Sequence, residues 1–185
     1  MKLITEKQAI ALLKKYSNDK KSFDIVLKHS KAVQKVALGI AKKISGVDID
    51  FIKTSCILHD IGRFRFPPGK YSIMHGVEGA RILRKEGLPK HALVAERHLG
   101  VGITKQDIKE QKLELPLKEY VPKTIEEKII SYADNIVFGK REGTIQEVIK
   151  RYKKEVGEFL VPRIIKQHNE IMKLIKGKNF IHDKK

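Results

Sequence analysis

The chain has a single cysteine, Cys56, among 185 residues, so no intrachain disulfide can staple it. No segment approaches the roughly 18 uninterrupted apolar residues of a membrane span. The opening run Met-Lys-Leu-Ile-Thr-Glu-Lys-Gln also lacks the long apolar stretch of a secretory signal. These absences point to the cytoplasm, with no membrane partner. Internal repeats, low-complexity blocks and linkers are missing too, so one domain is the expectation at this length.

Acidic residues are in short supply. Thirty-nine Lys and Arg stand against 22 Asp and Glu, a formal charge of +17, which suits nucleic acid, an anionic membrane surface or a polyanionic small substrate. The lysines are spread over nearly every expected helix and interleave with glutamate, as in Thr-Ile-Glu-Glu-Lys, which reads as solvated faces. Only residues 177–185, with His182 among them, look like a basic tail.

No stretch demands a strand, and the apolar spacing is helical throughout. A first helix is expected from Thr5, in a capping box with Gln8, to Tyr16. A second runs from Ser22 to Ile44, where Val26, His29, Val33, Val36 and Ile40 share one stripe, so His29 is expected to face inward. A third spans Asp48 to Ile61, with Ile49, Ile52, Cys56 and His59 on one stripe, Asp60 about 100° round and Gly62 as its stop. Arg63 to Ser72 reads as a loop, followed by helices over His75–Lys85 and Pro89–His98. Residues 99–123 form the longest irregular region, a rim or lid holding a short helix over Lys105–Gln111. Thr124, in a capping box with Glu127, opens a helix through Phe138 with Ile130, Asp134 and Val137 on one face. Helical periodicity resumes at Thr144, interrupted at Gly157 and Pro162. The expected fold is all-α, a single-domain bundle with a core over about 22–140 and a C-terminal helical extension over about 144–176. That extension covers the core or makes a homo-oligomer contact.

Histidine and aspartate recur in a telling order. His59 and Asp60 are adjacent in Cys-Ile-Leu-His-Asp-Ile-Gly-Arg, His29 lies upstream, His75 and His98 follow, and Asp134 sits in Ser-Tyr-Ala-Asp-Asn-Ile-Val. Such mixed nitrogen and oxygen donors suit iron, manganese, zinc or nickel more than calcium. A lone histidine on a helix stripe is more often a satisfied core residue, and a buried aspartate more often a cap or an ion-pair partner. Asp134, however, is expected mid-helix among Ile130, Ala133 and Val137, where an unpaired charge is costly.

The order His, His-Asp, His, His, Asp resembles the HD-domain superfamily of metal-dependent phosphohydrolases, in particular its HD-Ile-Gly branch, over roughly residues 22–140. The resemblance implies that His29, His59, Asp60 and Asp134 ligate one divalent cation. His75, in Met-His-Gly-Val-Glu-Gly-Ala, and His98, in Glu-Arg-His-Leu-Gly-Val-Gly, look like the further ligands of a second ion, with Asp60 bridging. Two such ions, iron, manganese, nickel or magnesium, make hydroxide available at neutral pH and hold phosphoryl oxygens for in-line attack. Asp60 and Arg63 are the expected catalytic residues, the Arg63 fork matching two oxygens of a substrate phosphate. Arg97, Lys140 and Arg141 are further candidates for substrate binding. The HD-Ile-Gly run is often followed by lysine, and Arg63 keeps that charge, whereas the Gly-Tyr-Pro motif of the cyclic-di-GMP enzymes is absent.

The activity implied is hydrolysis of a phosphate ester or phosphoanhydride, of a nucleotide or dinucleotide. The alternative is a regulatory or nucleic-acid-binding module on an HD scaffold, with the positive charge supplying the function. His91, two nominal turns before His98, is a weaker ligand candidate, His168 reads as core or interface, and Cys56 as a small core filler.

Overall fold

Side-chain caps set where most of the helices begin. In the computed structural model, which describes residues 4–177, Thr5 and Gln8 form the expected capping box at α1 (Glu6–Tyr16). Asp19 with Ser22 does the same at α2 (Lys20–Ala41), so this helix starts two residues before Ser22. Asp48 caps α3 (Ile49–Leu58). Then come α4 (His75–Lys85), α5 (Pro89–Arg97) and α6 (Lys105–Glu110). Thr124 caps α7 (Ile125–Ile136), but its capping box is only half made. The Glu127 carboxylate accepts instead from Arg97 and from the Lys123 amide. A further box, Thr144 with Glu147, opens α8 (Ile145–Glu155), and Pro162 sits in the first turn of α9 (Val161–Lys176), where it starts a helix and breaks none. Residues 178–185, most of the expected basic tail, lie outside the described residues.

Three expectations need correction. The α3 helix ends at Leu58, not Ile61, and the chain tightens into a 3₁₀ turn over Ile61–Phe64, inside the segment read partly as loop. The α2 helix stops at Ala41, three residues short of Ile44. The α7 helix stops at Ile136, and Val137–Phe138 pairs antiparallel with Arg141–Glu142 (β1 and β2) around Gly139, which takes φ of +65°. This hairpin is the only two-stranded sheet among the described residues, so the fold remains all-α. No helix among them is long and apolar enough to cross a membrane.

Burial divides the interior into two main clusters. Val33, Ala37, Ile52, Cys56, Ile129, Ile130 and Ala133 join Val148, Tyr152, Ile164 and Ile171, so α8 and α9 pack onto the same core as α2, α3 and α7. The second cluster packs Leu13 of α1 and Ile57 and Leu58 of α3 against Leu83 of α4 and Ala92 of α5. A smaller cluster, Leu99, Ile108, Leu115 and Tyr120, supports the rim segment. The shared helices α2 and α3 bring His29, His59 and Asp60 to the junction of the two main clusters.

Candidate metal centre and the cavity beside it

Glycines let the ligand-bearing backbones close together. A Cβ on Gly62 would stand 2.0 Å from the His75 carbonyl oxygen and 2.7 Å from the Gly79 amide nitrogen. Gly62 therefore does not act as a helix stop. It admits the start of α4 against the 3₁₀ turn and so places His75 over Asp60. Gly76 works the same way one layer on, its absent Cβ only 2.9 Å from the Ala95 carbonyl of α5, which draws His98 at the end of α5 toward His75. Asp60 itself lies past the end of α3, with φ −100° and ψ 14°, the sparsely populated bridge region.

Three imidazoles are oriented by one device. His59 Nδ1 donates to Cys56 O at 2.8 Å, His75 Nδ1 to Ser72 O at 2.5 Å and His98 Nδ1 to Ala95 O at 2.9 Å. With the Nδ1 proton fixed on a carbonyl, each Nε2 faces the centre, where a cation can take the place of any proton it carries. His59 Nε2 is fully buried and has no hydrogen-bond partner among the described residues. His75 Nε2 and His98 Nε2 are 2.9 Å apart, a separation two bare lone pairs hold only with a proton or a cation between them.

The carboxylates complete two half-sites. Asp134 Oδ1 is 2.9 Å from His29 Nε2 and 3.6 Å from His59 Nε2. The Asp60 oxygens divide. Oδ2 lies 3.6 Å from His29 Nε2 and 3.8 Å from His59 Nε2, while Oδ1 lies 3.1 Å from His75 Nε2 and 3.4 Å from His98 Nε2. Donor atoms of His29, His59 and Asp134, and again of His59, Asp60 and His98, all fall within 4.8 Å of one another. His59 is fully buried, whereas the His29 side chain, expected to face inward, is 31% exposed. Burial works against charge on His59, yet Asp60 and Asp134 outweigh it and lift the imidazole to about 9. Burial likewise opposes ionisation of both aspartates, and the surrounding histidines still hold them well below the usual carboxylate range. Two carboxylates, inward-facing imidazole nitrogens and a buried His59 Nε2 without a hydrogen-bond partner make a donor set that fits a divalent cation.

A cavity of about 380 Å³ opens beside the centre, lined by Arg63, His75, His98 and Asp134. Its far walls come from the rim segment, with Leu99, Ile103 and Leu113, and from α8, with Arg151, Tyr152 and Val156. Of the expected phosphate-binding cations only Arg63 is there, its Nε 3.2 Å from Asp60 Oδ1. Arg97 is committed to Glu127, at 2.9 and 3.0 Å, and does not line the cavity. Because α7 ends early, Lys140 and Arg141 ride the hairpin, away from the cavity lining. Arg141 forks onto Glu147, and Lys140 lies close enough to Lys28 to lower that ammonium's pKa. His91 shares a 2.9 Å hydrogen bond with Thr54 Oγ1 and His168 one of 2.8 Å with Tyr132 OH, so neither joins the ligands.

Sequence reasoning missed Asn135, Tyr152 and Arg151. Tyr152 OH donates to Asn135 Oδ1 at 2.7 Å, and Asn135 Nδ2 donates to Gly100 O at 2.8 Å. Gly100 has φ of +55°, and a Cβ there would lie 2.8 Å from the Tyr152 hydroxyl. The loop after His98 is thus tied to α7 and α8. The only advance signal was Asn135 beside Asp134, since polar residues on a buried helix need partners.

Residues 26–139 match the HD domain family. An uncharacterized protein of Methanocaldococcus jannaschii is 41% identical over 176 residues, covering 91% of this chain and 98% of that one. The tRNA (cytidine(56)-2'-O)-methyltransferase of Thermoplasma volcanium is 37% identical over 177 residues, 95% of this chain but 49% of the enzyme. Its counterpart in Picrophilus torridus is 36% identical over 167 residues, covering 90% and 46%, so the chain spans about half the length of either methyltransferase. Among solved structures, the HD domain of the L. monocytogenes phosphodiesterase PgpH superposes with a TM-score of 0.52 at 21% identity, covering 94% of this chain and 98% of that one. The same domain in complex with cyclic-di-AMP gives 0.52 at 20% identity, covering 96% and 98%. These two likenesses carry the fold.

Proposed function

Because the chain belongs to the HD-domain family, we propose that it is a metal-dependent phosphohydrolase acting on a phosphate ester or phosphoanhydride of a nucleotide or dinucleotide. The observation that carries this reading is the division of Asp60. One of its oxygens faces His29 and His59, the other His75 and His98, around an orphaned, buried His59 Nε2. In this reading His29, His59, Asp60 and Asp134 hold one divalent cation, and Asp60, His75 and His98 a second, drawn from iron, manganese, nickel or magnesium. Such ions supply Lewis acidity and a nucleophilic water at neutral pH.

The chain's own residues do the rest. The Nδ1 bonds to Cys56, Ser72 and Ala95 keep three imidazoles from rotating. Arg63 steadies Asp60 through Nε and turns its remaining donors toward a phosphoryl oxygen in the cavity, where charge-assisted pairs are strong. The apolar walls at Leu99, Ile103 and Leu113 keep water from the organic part of the substrate. That a solved HD domain of this fold is a phosphodiesterase bound to cyclic-di-AMP is consistent with a nucleotide substrate.

A second reading, a nucleic-acid-binding module, is favoured by the methyltransferases in which a similar chain makes up about half of a tRNA-modifying enzyme, and by the charge of +17. One experiment separates the two. Phosphate release is screened over nucleotides, dinucleoside polyphosphates and cyclic dinucleotides with each metal, alongside salt-dependent binding of tRNA. We expect hydrolysis that Asp60→Ala lowers by more than about 10³-fold, a loss of several kcal/mol of barrier lowering. Submicromolar tRNA binding at physiological salt with no hydrolysis would reverse the assignment.

A further inference from the structure

The chain has eight arginines, and seven of them pair with a carboxylate, among them Arg63 with Asp60, Arg97 with Glu127 and Arg163 with Asp107. Arg151 is the exception. No carboxylate among the described residues comes within 4.0 Å of it, although it is half-buried and lines the cavity. Its guanidinium lies over the Phe138 ring at 4.8 Å and the Tyr152 ring at 5.5 Å. Nη2 donates to the Asn135 carbonyl at 2.8 Å, one residue from Asp134.

These contacts fix the plane of the guanidinium and use one of its five donors. They leave it without a direct ion pair in a partly desolvated wall, where the acidic side chains Asp134 and Glu155 share the cavity lining but lie beyond 4.0 Å. Aromatic stacking of this kind compensates only weakly, and a half-buried cation without a direct ion pair is a poor structural choice. An anion arriving from the cavity satisfies it. Arg63 approaches the same cavity from the turn after α3, and Arg151 from α8, outside the span matched to the family.

We propose that Arg151 binds a phosphate group of the substrate, so that the C-terminal extension supplies part of the active site. Its ligand is a phosphomonoester or polyphosphate with at least two free anionic oxygens. Two guanidinium walls suit that charge better than a lone diester, and the organic group rests among Leu99, Ile103, Leu113 and Leu160. The assignment rests on reading this cavity as the site of phosphate hydrolysis.

The test is calorimetric titration of the metal-loaded full chain with inorganic phosphate and pyrophosphate, for the parent, Arg151→Gln, Arg151→Lys and Arg141→Gln. Arg151→Gln should weaken binding by about 10- to 100-fold, as expected for loss of a hydrogen bond to a charged group, with metal content unchanged. Arg151→Lys should recover part of that loss, and Arg141→Gln, whose side chain is on Glu147, should match the parent. Equal affinity in parent and Arg151→Gln, or no binding by the parent, overturns the proposal. Equal losses in the Gln and Lys variants with a matching drop in melting temperature also overturn it, since packing alone would explain them. If the parent hydrolyses nothing but binds phosphate through Arg151, the hydrolase reading fails while the anion site stands. If hydrolysis proceeds with the same KM in Arg151→Gln, the anion site fails and the hydrolase reading stands.

Discussion

The candidate metal centre and the cavity that opens beside it are neighbours built by different rules. The centre gathers four imidazoles and two carboxylates from the ends or faces of five helices, α2, α3, α4, α5 and α7. These are groups an interior accepts only with partners. Away from the ligands, the cavity is walled by Leu99, Ile103, Leu113 and Tyr152, residues any core contains, and Arg151 there sits in a run of basic residues along α8. Proximity in space leaves a strong trace in the sequence when it brings rare chemistry inward. It leaves little when it brings ordinary packing together.

The largest expected effect tests whether the centre has two halves. Replacing His75 and His98 together by alanine should leave His29, His59, Asp60 and Asp134 able to hold one ion, so metal content should fall from about two to about one per chain. Phosphate release should fall by more than about 10²-fold, because one side of the electrostatic clamp is gone. Elemental analysis finding one ion per chain in the parent, with the double variant active, would make both histidines structural and merge the two halves into one site.

Next in size is a substitution that touches no ligand. Gly62→Ala puts a methyl group where the His75 carbonyl stands 2.0 Å away, and backbone on both sides cannot yield as a flexible side chain would. We expect a loss of about 3 kcal/mol, at the upper end of overpacking effects, measured by urea unfolding. Metal affinity should fall with it, since α4 must back away from the turn that holds Asp60. A stable variant with unchanged metal binding would show that the close approach is not what positions His75.

The same glycine marks the limit of what periodicity reveals. Local rules alone make Gly62 a helix stop, but α3 already ends at Leu58 and Gly62 lies inside the 3₁₀ turn that follows. The reason for glycine is long-range, a backbone 13 positions later in the chain. Caps and stripes were legible because their partners lie three or four residues away, as at Thr5 with Gln8 and Thr144 with Glu147. The six candidate ligands were legible because their order resembles a family pattern. Arg97, Lys140 and Arg141 offer charge beside the ligands, and nothing local in the sequence shows their partners. Glu127 lies 30 residues from Arg97, and the hairpin that carries Arg141 to Glu147 begins where a longer helix was expected. Arg151 stands out in no local pattern because its distinguishing feature is the lack of a direct ion pair among the described residues.

The finest distinction lies between two buried histidines seven residues apart on one helix. His98 turns its Nε2 into the centre, whereas His91 is satisfied by Thr54 and lies against the edge of Phe51, with ring centroids 4.9 Å apart. Burial pushes His91 down from 6.5 to about 4, with Asp48 opposing only in part. Its folded pKa is therefore below its unfolded value. Between pH 6.5 and 4 the unfolded chain binds more protons at this position, so the stability His91 contributes is full above pH 6.5 and is lost as the pH falls toward 4. The loss should amount to about 2–3 kcal/mol. His91→Gln, which keeps a polar group for Thr54 and cannot titrate, should lose correspondingly less stability than the parent between pH 7 and pH 4. Metal-free protein is the sample of choice, so that ligand titration is common to both chains and cancels in the difference. Parallel stability curves for parent and variant across that window would mean that His91 titrates in the fold as it does in the unfolded chain, and that two buried histidines on one helix do not differ in the way their hydrogen bonds indicate.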